Sequence, residues 1–347
     1  MASVYPRVVV AVPTYRRPHD LTRLLTALPP VIDRAVQSGL CASVDVLVID
    51  NDGDAAETAA SAGVPVRYVR EERRGLAAVR NRALDEALDD DILVFIDDDE
   101  TPAEESWLER LLAAQQASRA GVVAGPVRTV VPGGLDPWII AGGFYDRSHR
   151  GALRSLDPIG SAASNNLLLR LDDVRRTGVR FDERFGRSGG EDSLFTAQLH
   201  AAGVPMVWCA DAAVLDHLPA ERRTREHALA RSRGMEAAGA RVAAVLAGRS
   251  RPRRAYVRAR AVAIGSARLV VGSSRRVVGR LTGSIRRDAS GARDVARGLG
   301  AWEGAVGRSR HLYGGDRATR TAHATSSAST ITGTTITSST SEREGAA

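Results

Sequence analysis

Apolar positions in the first hundred residues come in short runs, separated by stretches with helical spacing. Arg7 to Val12 is apolar and mostly β-branched beyond its first residue and reads as a strand. Pro13-Thr14-Tyr15 makes a turn, after which Leu21, Leu24, Leu25 and Leu28 recur at helical intervals. Val44 to Ile49 is a second strand, ending in Asp50-Asn51-Asp52-Gly53-Asp54, and a short Ala-rich helix follows. Val64 to Val69 is a third strand. Gly75 to Leu88 is a helix with Leu76, Val79, Ala83 and Leu84 inward, and Ile92 to Ile96 is a fourth strand. Strands alternating with helices predict an α/β fold with a doubly wound, mostly parallel sheet.

The middle of the chain is patterned differently. Trp107 to Gln116 is helical and Gly121 to Val131 reads as one strand. Residues 132–160, rich in Gly and Pro, form a long loop, which in a compact domain is usually functional or mobile. Asn165 to Arg170 is strand-like, Asp172 to Thr177 a short helix, Glu191 to Ala202 a helix, and Val204 to Cys209 strand-like. After about residue 222 the pattern is helical and basic. The last 30 residues are Ser/Thr-rich, cannot bury enough surface to fold, and are expected to be disordered. The expected division is 1–222, 223–317 and 318–347.

The abrupt end of the fourth strand is the first chemical signal. Ile96 is followed by Asp97, Asp98, Asp99 and Glu100, and ligands bind at the carboxyl ends of strands in open α/β sheets. Extended alternation would put Asp97 and Asp99 on one side and Asp98 on the other. Two carboxylates on one side call for a cation between them, and a hard divalent metal that also touches a diphosphate suits the pair. The other reading is an acidic loop favouring the start of a helix near Ala103. Gly189-Gly190-Glu191-Asp192 is the second signal: two glycines let the backbone pass close to a ligand, and two acids open a helix, which ordinary helix capping also explains.

Charge sharpens the division. The chain has no lysine, so all its basic charge is arginine; residues 219–347 carry 25 arginines against nine acids, leaving an acidic front. Cys41 and Cys209 offer no disulfide framework, which fits a reducing cytosol. No signal peptide and no membrane-spanning run is expected.

Six motifs in order give the chain a resemblance. They are Val10 to Arg17, Val48 to Asp52, Gly75 to Asn81, Phe95 to Asp99, Ser164 to Leu167, and Phe181 to Asp192. Over about residues 5–235 the chain resembles the family 2 glycosyltransferases of GT-A fold, most of all the succinoglycan type of bacterial exopolysaccharide assembly. The resemblance implies an inverting transfer of a sugar from a UDP- or dTDP-sugar to a hydroxyl of a saccharide or polyprenyl-linked acceptor. Pro13, Thr14 and Tyr15 would line the nucleotide, Asp50 would accept a hydrogen bond from a pyrimidine ring N–H, and Arg80 and Asp98 would belong to the donor site. Asp97 and Asp99 would hold Mg2+ or Mn2+, with Asp99 the direct ligand and His217 the third candidate, against an ordinary partly buried histidine. Asp192 would be the general base and Glu191 would hold the acceptor, with Asn165, Asn166, Gly189 and Gly190 near sugar or acceptor. Arg222 or Arg223, after Pro219, could steady the diphosphate.

The basic region fits no motif of the family. Val277, Val278, Leu281 and Ile285 fall on one helical face among arginines, either as a membrane-surface element at the inner face of the cell membrane or as helices packed on the acidic body. Gly265, Gly272, Gly279 and Gly283 would weaken a long helix. The competing functional readings are a non-catalytic nucleotide-sugar-binding protein, disfavoured by the three acids Asp97, Asp99 and Asp192, and a nucleic-acid-binding protein, disfavoured because no aromatic platform accompanies the arginines.

Overall fold

The computed structural model describes residues 5–147, 150–186 and 188–308. β1 (Arg7–Thr14), β2 (Ser43–Asp50), β3 (Val66–Arg70) and β4 (Ile92–Ile96) lie side by side in the order β3-β2-β1-β4, all parallel. Their branched side chains suit strands buried on both faces. Val8, Val10 and Val12 join one core layer with α1 (Pro18–Gln37) and α4 (Trp107–Ser118). Val9 and Ala11, on the other side of the pleat, join a second layer with α3 (Leu76–Glu86), α6 (Leu171–Thr177) and α7 (Glu191–Ala201). A fully buried leucine contributes roughly 1.5–3 kcal/mol, so Leu21, Leu24, Leu25 and Leu28 anchor α1. A short α2 (Ala56–Ala60) links β2 to β3.

Beyond β4 the sheet is mixed. β8 (Asn166–Arg170) runs antiparallel between β4 and β6 (Val122–Ala124), and β9 (Met206–Trp208) closes the edge parallel to β6. The single strand expected over 121–131 is two. Pro126 has no N–H for a ladder, and a Cβ at Gly125 would lie 2.2 Å from the Ala212 carbonyl oxygen. β7 (Val127–Val130) therefore leaves the main sheet and pairs in a small one of order β5-β10-β7, with β5 (Glu100–Pro102) and β10 (Val214–His217). Because β5 follows directly on the acidic segment after β4, this second sheet stands over the carboxyl end of the first. The loop 132–160 contains α5 (Pro137–Gly142), capped by the Asp136 carboxylate.

The basic region forms α8 (Arg225–Leu246), α9 (Arg251–Leu281) and α10 (Ile285–Ala305). The glycines expected to weaken α9 instead make its packing. Gly265, Gly272 and Gly279 are buried at seven-residue intervals, and a Cβ on Gly272 would meet the Gly291 carbonyl oxygen at 2.8 Å. On α10, a Cβ on Gly291 or Gly298 would lie 2.6 or 2.7 Å from the carbonyl oxygens of Gly272 and Gly265. A helix glycine costs roughly 0.5–1 kcal/mol relative to alanine; here that cost is offset by a backbone approach any side chain would block. α10 uses Gly300 and Gly304 in the same way against α8. It also rests on α5, where Trp138 Nε1 donates to Asp288 Oδ2 at 2.8 Å and Arg293 to the Gly143 carbonyl at 2.8 Å. The basic helices thus pack on the body. The tail expected over 318–347 and the end of the expected extension, 309–317, lie outside the described residues.

Candidate active site

The strand β4 ends at Ile96, and the acids do not alternate as extended chain would. The Glu100 N–H donates to the Asp97 carbonyl at 3.1 Å, closing a turn. This turn brings Asp98 and Asp99 to the same cation: Arg17 Nη1 donates to Asp98 Oδ1 at 2.9 Å and to Asp99 Oδ2 at 2.7 Å. Arg222 reaches the same Asp99 oxygen at 3.2 Å. Asp98 is buried and also accepts from the Thr14 hydroxyl at 2.9 Å. Asp97 is the more open acid, its side chain 32% exposed.

Arg80 joins this turn to the second acidic motif. It is buried on α3 and donates to Asp97 Oδ1 at 3.4 Å and to Glu191 Oε1 at 2.5 Å. Glu191 opens α7 and is buried, and its Oε2 has no hydrogen-bond partner among the described residues. Asp192, beside it, is partly exposed and accepts from the Ser193 N–H at 2.6 Å. Its charge helps raise the carboxyls of Glu191 and Asp97, after burial. Gly189 and Gly190 take positive φ values of 77° and 95°, which L side chains avoid. The close approach at Gly190 is to α8, since a Cβ there would lie 3.2 Å from both Ala238 Cβ and Val242 Cγ2.

Several expected site residues have other work in the structure. Asp50 is fully buried: its oxygens accept from the N–H groups of Asp52 and Ala55 and from the Tyr68 hydroxyl, each at 2.8–2.9 Å, so it shapes the loop after β2 instead of facing a base. Thr14 holds Asp98, and Pro13 is buried in β1 against Ile49. Asn166 is buried and ties Trp107 Nε1 to the carbonyls of Pro126 and Ala212. Asn165, by contrast, is partly exposed and donates to Glu100 Oε1 at 2.5 Å. His217 shares a hydrogen bond with the Thr101 hydroxyl at 2.9 Å and does not join the acids with its ring. In β10 the neighbouring Asp216 is the one that is buried, opposite Glu100 and paired with Arg147.

Sequence reading missed Arg17, Glu100, Asp216 and Arg147 as members of this cluster. The signal for Arg17 was its place in the turn after β1, at the same sheet edge as Asp97; the signal for Asp216 was strand alternation, which buries one of the pair Asp216-His217. A more exposed group lies beside them. Arg16 and Arg74 sit over the Tyr15 ring at 5.1 and 5.2 Å, and both pair with Asp52, at 2.6 and 2.8 Å.

The electrostatics favour added positive charge. Burial pushes the Asp98 carboxyl up to about 7 against the pull of Arg17. Burial, reinforced by Asp97, Asp99 and Asp216, raises Glu100 well above the usual carboxylate range. Asp97 and Asp216 are raised too, by desolvation first and by the neighbouring carboxylates. Hard carboxylate oxygens in surplus over arginines fit Mg2+ or Mn2+. Among the described residues no group of three or more His, Cys, Asp or Glu side chains is arranged to hold a metal ion. Asp97 and Asp99 alone would offer two carboxylates, the number Mg2+ usually takes when substrate phosphates complete its shell.

Comparison with known proteins identifies the class as glycosyltransferase. The pattern of "Glycosyl transferase family 2" matches residues 9–166. The chain is 32% identical over 219 residues to "Succinoglycan biosynthesis protein ExoM" of Rhizobium meliloti (strain 1021), spanning 61% of this chain and 67% of that one. It belongs to glycosyl transferase family 2, and its mixed but mainly parallel sheet, flanked by helices and followed by a basic helical region, is the GT-A fold the motifs implied. Among solved structures, S. aureus TarS 1-349 is similar at 17% identity and TM-score 0.47, covering 73% of this chain and 68% of that one. Its complex with UDP-GlcNAc gives 15% and 0.46, covering 84% and 90%.

Proposed function

We propose that the protein is an inverting glycosyltransferase of polysaccharide biosynthesis, moving a sugar from a UDP- or dTDP-sugar to a hydroxyl of a saccharide or polyprenyl-linked acceptor. Residues 1–222 would be its catalytic part and 223–317 its basic extension. The observation that carries this reading is Arg80, which bridges the acidic turn after β4 to the Glu191-Asp192 start of α7.

In this reading Asp192 is the general base. It takes the proton of the acceptor hydroxyl as that oxygen attacks the anomeric carbon on the side opposite the diphosphate, so the centre inverts in one displacement. Glu191, sealed against Arg80, positions the start of α7 and is not itself exposed to the acceptor. Arg17 and Arg222, which share Asp99, would give the departing diphosphate charge-assisted hydrogen bonds. Asp97 and Asp99 would hold Mg2+ or Mn2+, which when bound supplies Lewis-acid charge to the diphosphate. The Tyr15 ring with Arg16, Arg74 and Asp52 takes the base, Asp52 assuming the role expected of Asp50. Asn165 lies beside Glu100 at the sugar end. A lipid-linked acceptor would have the enzyme work peripherally at a membrane; no helix among the described residues is long and apolar enough to cross one.

A thermal-shift screen with UDP, dTDP, GDP and their sugars, with and without Mn2+, tests the donor site, since a ligand of the native state must raise Tm. A Mn2+-dependent rise with UDP or dTDP that Asp99→Ala abolishes is expected. No rise with any nucleotide would overturn the reading.

A further inference from the structure

The outer face of α9 breaks the usual rule for a surface helix. Its glycine side is covered by α10, yet at 100° per residue Tyr256, Val270, Val277 and Leu281 fall on the opposite side. These side chains are open to solvent: Tyr256 is 69% exposed, Val270 68%, Val277 57% and Leu281 82%. Ile285, first in α10, continues the strip around the turn at 53%. Val270, Val277 and Leu281, one to two turns apart on this side, form an exposed apolar strip of the kind that marks an interaction site.

The charge around the strip selects the partner. α9 carries nine arginines and no acidic residue. Among the described residues Arg253, Arg260, Arg286 and Arg287 have no acidic partner. A groove of about 550 Å³ between α9 and α10 combines both features, with Val270, Val271 and Val278 set among Arg275, Arg286 and Arg287. Two copies of α9 would repel each other. A nucleic acid would leave the valines and Leu281 against phosphate. A surface that is anionic outside and hydrocarbon just beneath satisfies both the arginines and the apolar strip.

We propose that α9 is a membrane-docking helix: it lies flat in the headgroup layer of an anionic bilayer, with Val270, Val277, Leu281 and Ile285 inserted and the flanking arginines on lipid phosphates. With 31 residues it is about 46 Å long, at about 1.5 Å per residue, so several headgroups are engaged at once. This surface is separate from the donor site and does not depend on its chemistry.

Flotation of the full chain with two kinds of vesicle tests the proposal: phosphatidylcholine alone, and phosphatidylcholine with phosphatidylglycerol in equal parts. The wild type is expected to float with the anionic vesicles and far less with the neutral ones. Val277→Asp combined with Leu281→Asp should lower partitioning by about a hundredfold or more, the equivalent of losing two buried aliphatic groups. Arg286→Ser with Arg287→Ser should lower it by about fivefold per arginine. All these positions are exposed, so Tm and the UDP-induced shift should stay as in the wild type; Leu281→Ser alone replaces the double aspartate variant if its Tm falls. Equal flotation of wild type and apolar variants overturns the proposal. So does a dimer that Leu281→Asp dissolves without any vesicle binding, or capture of labelled RNA in place of vesicles.

Discussion

The sheet body and the α8–α10 helices solve the same packing problem with opposite materials. The body interlocks branched and aromatic side chains: Phe181 stacks on Phe195 at 4.0 Å, and Val, Leu and Ile fill both faces of the sheet. The helices close on glycine and alanine, bringing backbone against backbone. The consequence is a reversal of what is hidden. In the body, carboxylates are buried at strand and helix ends together with Arg80 of α3, and that is where the proposed chemistry lies. In the helices, aliphatic groups that would ordinarily form a core are left outside, because the seam has no room for them. Each region departs from the inside-outside rule in its own direction, and each departure marks a site.

The comparison can be tested most severely at the acids around Arg80. If Asp192 is the proposed general base, Asp192→Asn should cut turnover by about 10²–10⁴-fold while Tm and the donor-induced thermal shift stay unchanged. A matching fall in Tm would mean that the cluster is structural. Next in size is the seam. Gly272→Leu places side-chain atoms where the Gly291 carbonyl and Val295 N–H now stand, and should cost about 1–3 kcal/mol or more by urea denaturation.

Asp50→Asn tests burial of charge without catalysis, and should cost about 1–3 kcal/mol near neutral pH. Burial opposes ionisation of Asp50, but the N–H groups of Gly53, Asp52 and Ala55 and the Tyr68 hydroxyl outweigh it and hold its carboxyl below the usual range. The stability it lends is therefore full above the unfolded-state value of about 4 and is lost as pH falls through the lower folded value. The gap between wild type and variant should narrow on acidification below about pH 4. The smallest effect has the opposite sign. Gly239, in α8, has nothing near its missing Cβ, and Gly239→Ala should stabilise by roughly 0.5–1 kcal/mol. A loss there would show that α8 uses its glycines as α9 and α10 do.

The same contrast explains what could be read from the chain alone. β1, β2 and β4 announce themselves because an apolar run buried on both sides has one interpretation, and Ile92–Ile96 has the expected bounds. The acids after β4 were legible as a site but not in their geometry, because a tight turn erases strand alternation and brings Asp98 and Asp99 to one arginine. Asp50 and Asn166 occupy positions that read as functional, yet the Asp50 oxygens are consumed by the loop that follows it and by Tyr68, and the Asn166 amide by segments distant in sequence. The seam was misread because propensity counts each glycine as a cost, while its benefit appears only when a second helix arrives.

That seam also fixes how the hairpin can change length. Gly265 faces Gly298 and Gly272 faces Gly291, so one pair of helices repeats its contact every seven residues, about 10.5 Å along the axis. The hairpin is in effect a ruler with coarse graduations: it can be shortened or extended only by whole heptads removed or added in both helices together. Any other step turns side chains into the backbone gap and moves the arginines and valines of the outer face to the wrong side.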